Sequence, residues 1–159
     1  MQFLQKKMTN NKIIWLTGQP GSGKTTLANL LEKKINTKDP SKHVIIIDGD
    51  DLRNITTNKD YSKEGRKKNI KTAQKIAQFL FNKDFIVIVS LIAPYRDVRE
   101  SFKSLVPVLE IFLHTEEKRG REHFFVKDYE PPQENFIDID TGLKSEHESV
   151  AEILLSLDN

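Results

Sequence analysis

Gly18-Gln19-Pro20-Gly21-Ser22-Gly23-Lys24-Thr25 decides the reading of this chain. It satisfies the phosphate-loop pattern G-x-x-x-x-G-K-[ST] at every fixed position. Its glycines let the backbone curl with N–H groups turned toward a phosphate. Gly18, Gly21, Ser22, Gly23 and Thr26 belong to this cradle. Lys24 is placed to reach the β- and γ-phosphates of ATP, and Thr25 to put a hydroxyl on Mg²⁺. The flanks agree with that role. Ile13–Thr17 reads as a buried strand, and Thr25–Lys34 as a helix with Leu27, Leu30 and Leu31 on one face. That helix aims its positive end at the same anion.

The rest of the composition narrows the class. The chain has 159 residues, 37% hydrophobic and 30% charged, enough for one domain with a core. Residues 1–11 are expected to be a flexible start and 12–159 a single domain. A net charge of +2 is too small to argue for a nucleic-acid polymer as partner. No cysteine is present, so disulfides, thiolate zinc sites and thiol nucleophiles are excluded. That composition fits a reducing cytoplasm. The apolar runs Val44–Ile47 and Phe85–Val89 are too short to cross a bilayer. Met1–Met8 lacks the long apolar stretch of a signal peptide.

Apolar, β-rich runs alternate with helical patterns. After the first strand come Val44–Asp48, Phe85–Ser90, Val108–Leu113 and Phe136–Ile139. Nearly continuous apolarity is the mark of strands covered on both faces. Glu64–Phe81 carries Ile70, Ala73, Ala77 and Leu80 at helical spacing, and Ser145-x-x-Glu148 opens a last helix with a capping box. The alternation predicts a three-layer α/β domain with a parallel sheet. Ligands of such sheets sit at the carboxyl ends of the strands. The polar stretches Asp50–Lys63 and Thr115–Gln133 read as loops that fold over that edge, the second as a lid.

Each strand end offers chemistry. Asp48-Gly49-Asp50-Asp51-Leu52-Arg53 places two carboxylates two residues apart. One can hold Mg²⁺ beside Thr25 and another can take the proton of an attacking hydroxyl, with Arg53 steadying an anionic acceptor. The third strand ends without the Asp of a Walker B element, which leaves Asp48 as the better metal partner. Arg96 and Arg99 are either guanidinium contacts to an anion or the solvated face of a helix starting near Pro94. Tyr61, Arg66 and Asn69 form a set suited to a nucleotide: a ring to stack on a base, a guanidinium for its phosphate and an amide to hydrogen-bond. Lys67, Lys68, Lys71 and Lys75 read as a solvated helix face. His43, His114, His123 and His147 show no metal-ligand spacing, and Trp15 reads as core.

Asp48-Gly49-Asp50-x-Leu52-Arg53, Tyr61-Ser62-x-Glu64-x-Arg66-x-x-Asn69-Ile70, Ser90-x-Ile92-x-Pro94-Tyr95-Arg96-x-x-Arg99 and Tyr129-Glu130, taken in order, resemble the adenylylsulfate kinase family. The resemblance runs from about Lys12 onward. It implies the P-loop nucleoside triphosphate hydrolase fold and MgATP-dependent phosphorylation of the 3′-hydroxyl of adenosine 5′-phosphosulfate. It further implies Asp50 as general base, Asp48 and Thr25 on the metal side, and Arg53, Arg66, Asn69, Ile92 and Arg96 along the acceptor. Tyr61 stands where the family usually has a stacking Phe. Ser90 matches a serine associated in the family with a phosphorylated enzyme form. The family is often dimeric, so a homodimer is the expectation from the resemblance.

Two departures matter. Gly65 stands where the family has Asp. The segment after the fourth strand is also short: the family's Cys, Arg-Asp-Pro-Lys-Gly, basic run and Phe-Thr-Gly are replaced by Thr115 to Asp128. Arg119 and Arg121 are the guanidinium groups this shortened lid offers, with Arg119 expected on the ATP, and Phe124 or Phe125 are its stacking rings. Shortened relatives of this family in bacterial capsule pathways phosphorylate the 3′-hydroxyl of cytidine 5′-diphosphoramidate, which keeps that acceptor as the alternative. Other readings fare worse. Asn58-Lys59-Asp60 and Asn82-Lys83-Asp84 have the wrong spacing for the guanine motif of a GTPase. A sugar or hydroxy-acid kinase would not need Tyr61, Arg66 and Asn69 together. A non-catalytic nucleotide-binding module would not need Asp48 and Asp50 as well.

Overall fold

Successive residues of a strand face opposite sides of its sheet, so a fully apolar strand must bury both faces. In β1, Ile13–Thr17, all five residues are buried. Ile13 and Trp15 join one core cluster, Ile14 and Leu16 the other. The computed structural model describes residues 12–159, and the segment 1–11 lies outside the described residues. Among the described residues the other strands are β2, Val44–Asp48; β3, Ile86–Ser90; β4, Val108–His114; and β5, Phe136–Asp140. They form one parallel sheet in the order β2-β3-β1-β4-β5.

Helices cover both faces. α1, Lys24–Lys38, and α5, Glu146–Asp158, pack together on one side through Leu27, Leu31, Ile35, Val150 and Ile153. α3, Lys63–Phe81, and α4, Arg96–Lys103, cover the other with Ile70, Ala73, Ala77, Val98 and Phe102. Trp15 meets Phe102 edge-on at 5.7 Å in this second core, as its apolar surroundings predict. The capping box of α5 forms in full, with the Ser145 hydroxyl accepting from the Glu148 amide and the Glu148 carboxylate from the Ser145 amide. No helix among the described residues is long and apolar enough to cross a membrane.

The structure corrects several expected boundaries. α1 runs four residues past Lys34. The stretch Asp50–Lys63 is not all loop: Gly49–Thr56 forms α2. Asp48 starts it, its Oδ1 accepting from the Asp50 amide at 2.9 Å, and Leu52 is its only buried side chain. A short helix with a single buried residue has almost no apolar period to read. Its stability comes from the cap and from Leu52.

Candidate active site

The phosphate loop leaves β1 at the sheet's centre, between β3 and β4. Gly23 sits at φ +99°, a left-handed conformation that favours glycine, and starts α1 with no side-chain cap. The first amides of α1 are therefore left to an incoming anion. Lys24 lies on its own loop: Nζ donates to the Gly18 and Gln19 carbonyls, both at 2.9 Å, and to Ser22 Oγ at 3.4 Å. Burial pulls its pKa down from 10.5 to about 8, against the raising pull of Asp48 and Asp50 and with a further push down from Arg121. The Thr25 hydroxyl donates to Asp48 Oδ2 at 3.2 Å. Hydroxyl and carboxylate oxygens side by side are hard donors of the kind Mg²⁺ takes. Among the described residues no cluster of three or more His, Cys, Asp or Glu could hold a metal ion.

One cleft of about 490 Å³ joins this loop to the ends of β2 and β3. Gly21, Gly23, Lys24, Thr25, Thr26 and Arg119 line its donor end. Asp48, bonded to Thr25, and Asp50 line it as well. Arg53, Tyr61, Arg66, Asn69, Ser90 and Ile92 line the other end. Tyr61 is 60% exposed, with the Arg53 guanidinium 4.2 Å and the Arg66 guanidinium 5.6 Å from its ring centre. Asn69 Oδ1 and Ser90 Oγ are buried at this end with no hydrogen-bond partner among the described residues. Buried polar atoms without partners are costly and rare, and two beside one cleft mark a place built for a polar ligand.

Three of the expected site residues do not line this cleft. Gly18 and Ser22 are not in its lining, Ser22 buried at 3% exposure, and their oxygens hold Lys24. Arg96 points elsewhere: its Nε donates to the Pro131 carbonyl at 2.9 Å and its amide to Glu130 Oε2. Arg96 is thus held by the lid segment rather than lining the cleft. Ile92 lines the cleft, and its carbonyl accepts from the Thr17 hydroxyl at 2.6 Å.

The segment between β4 and β5 lies across the phosphate loop and is irregular apart from one 3₁₀ turn, Glu122–Phe124. Arg119 fastens it at one point, donating to the Gly21 carbonyl and to the hydroxyl and carbonyl of Thr141. Gln19 fastens it at another: its amide donates to the Val126 carbonyl and accepts from the Val126 amide, both at 2.9 Å.

The family model for adenylylsulphate kinase matches residues 10–156. The chain belongs to the adenylylsulfate kinase family. The adenylyl-sulfate kinase of Pseudomonas aeruginosa is 34% identical over 154 residues, covering 92% of this chain and 76% of its own length. That of Rippkaea orientalis is 33% identical, covering 91% and 90%. Among solved structures, the Mycobacterium tuberculosis APS kinase in complex with AMPPNP and APS superposes with a TM-score of 0.80 at 23% identity, over 94% of this chain and 98% of that one, a likeness of fold. This adenylylsulfate kinase family member is accordingly an ATP-dependent phosphotransferase that acts on a hydroxyl group.

Two residues of this family member do work that sequence reasoning did not assign, and a third, Arg121, takes a place that it left open. Arg99 is neither an anion contact nor solvated. At 3% exposure, its Nε meets Glu110 Oε1 at 2.7 Å, and its other nitrogens donate to the Ala93 and Glu130 carbonyls. It thereby pins the turn after β3, where Ala93 takes φ +44°. A lone Glu110 within the apolar run Val108–Leu113 was the available signal for a buried partner. Gln19 showed no sign of its clasp on Val126. Arg121 was named without a position; it lines the cleft near Lys24, with its guanidinium 5.2 Å from the Phe124 ring.

Proposed function

We propose that the protein transfers the γ-phosphoryl of ATP to the 3′-hydroxyl of adenosine 5′-phosphosulfate, producing its 3′-phosphate. The family and its adenylyl-sulfate kinase relatives support this reading. The observation that carries it is the acceptor end of the cleft: an exposed ring with two guanidinium groups near it, and two buried polar atoms without partners among the described residues. Tyr61 stacks on the base, Arg53 and Arg66 hold the anionic 5′ group, and Asn69 and Ser90 bond to its polar atoms.

At the donor end, Gly21, Gly23 and the first amides of α1 hold the phosphates, and Lys24 leaves its loop carbonyls for the β- and γ-oxygens. Thr25 and Asp48 would hold Mg²⁺, which supplies charge neutralisation on the phosphates. Asp50, in the first turn of α2, takes the proton of the attacking hydroxyl. That it lines the same cleft as Lys24, Thr25 and Tyr61 supports this role. Arg121 offsets charge on the transferring oxygens, while Arg119 acts on ATP through the loop it buttresses.

A second acceptor is favoured by one observation. The segment between β4 and β5 is short and carries a single 3₁₀ turn, the departure from the family that the shortened cytidine-acceptor relatives share. Cytidine 5′-diphosphoramidate presents the same 3′-hydroxyl on a smaller base. ATP supplied with each acceptor separately, with 3′-phosphorylated product followed, decides between them. Faster turnover of adenylylsulfate supports the first reading, faster turnover of the cytidine compound replaces it, and turnover of neither overturns both. Assembly as a homodimer belongs to the same proposal and is checked by light scattering on the eluting protein.

A further inference from the structure

The turn joining α2 to α3 is a closed knot of hydrogen bonds. Arg53 Nη1 donates to the Asn58 and Asp60 carbonyls, both at 3.0 Å. The Asn58 side chain accepts from the Asp60 amide and donates to the Gly65 carbonyl. Asp60 Oδ1 accepts from the Ser62 amide at 2.8 Å, and Ser62 Oγ from the Gly65 amide. Arg66 Nε closes the ring on the Tyr61 carbonyl at 2.9 Å. Tyr61 rides on this knot, with the guanidinium groups of Arg53 and Arg66 4.2 Å and 5.6 Å from its ring centre.

The knot has a keystone. A Cβ added at Gly65 would overlap the Asp60 carboxyl carbon and the Asp60 carbonyl oxygen. Asp60 thus fills the space of a side chain at position 65, and the bare α3 backbone lets it do so. The charges facing its carboxylate are Arg53 and Lys68, and hydrogen bonds from Ser62 hold it ionised below the usual carboxylate range.

We propose that Asp60, seated on Gly65, is a positioning residue for the acceptor: it fixes the Tyr61 ring and the Arg53 guanidinium where the nucleotide meets them. This rests on the function proposed above. Asp60 itself touches no substrate. Its loss loosens the acceptor end while leaving the phosphate loop, on the far side of α2, untouched.

The test separates KM for acceptor from KM for ATP, using whichever of the two acceptors the wild-type chain phosphorylates. Asp60→Ala should raise acceptor KM roughly tenfold, the worth of one charge-assisted hydrogen bond, and leave ATP KM within about twofold. Asp60→Asn keeps an oxygen for the Ser62 amide and should restore most of the loss. Gly65→Ala should raise acceptor KM as well, and by less when Asp60 is already Ala, because the pair is coupled. Hydrogen exchange at the Ser62 and Gly65 amides should quicken in Asp60→Ala. An unchanged acceptor KM in Asp60→Ala, or equal rises for both substrates, overturns the proposal. A wild-type chain that turns over neither acceptor overturns instead the function on which it rests.

Discussion

Binding of ATP should draw a proton from solution, and Lys24 is the reason. In the free protein its ammonium lies on loop carbonyls in a poorly solvated place, with a pKa of about 8. Phosphate oxygens would give it strong negative partners and return the pKa toward the ordinary 10.5. At about pH 8 half of the free molecules carry the proton, and at about pH 9 roughly one in ten. Complex formation should therefore take up about half a proton at pH 8 and most of one at pH 9. Once the pH passes about 8, ATP affinity should weaken, approaching tenfold per unit. Titration calorimetry in buffers of different ionisation enthalpy measures the uptake directly, as the slope of observed heat against buffer heat. Lys24→Arg, whose guanidinium stays charged throughout, should abolish the slope. The ligand-free protein carries the opposite linkage. The unfolded chain holds this proton up to about 10.5 and the folded chain only to about 8, so Lys24 adds stability as pH rises between them. A flat ATP affinity across pH 7 to 9 with no buffer dependence would refute the reasoning.

Asp48 has two separable jobs. Asp48→Asn keeps an oxygen for the Asp50 amide and should leave the melting temperature nearly unchanged while cutting turnover by orders of magnitude; Asp48→Ala should also lose about 1 kcal/mol in urea unfolding. Arg99→Met strands Glu110 with Lys103 alone and should cost about 3 kcal/mol by denaturant titration, and Arg99→Met with Glu110→Met should cost less than the single change. Ser90→Ala removes a hydroxyl with no partner among the described residues, so stability should hold within about 0.5 kcal/mol while acceptor KM rises in steady-state assays.

Much of this molecule could be read from its residues because the signals were local. Five apolar runs and one glycine-rich loop specify a parallel sheet with a phosphate site at its centre, and the strands form within a residue or so of the expected positions. What escaped depended on partners distant in sequence. Arg99 looked like any helix arginine until Glu110 and the Ala93 carbonyl arrived from other elements. Arg96 matched the family pattern by position, yet its Nε is taken by Pro131 from the lid segment. α2 has one buried residue and so no period, and its start is set by a carboxylate that also bonds to Thr25. Gly65 read as a loss of a carboxylate, whereas the space it leaves is filled by Asp60 from across the turn.

The clasp between Gln19 and Val126 has a consequence for motion. A strap tied down at Arg119 and again seven residues on has only its short middle free to swing, and that middle carries Arg121 and the Phe124 ring. Shelter for the reacting phosphate must then come from small local shifts and from the substrates themselves. A swing of the whole strap would require both ties to break.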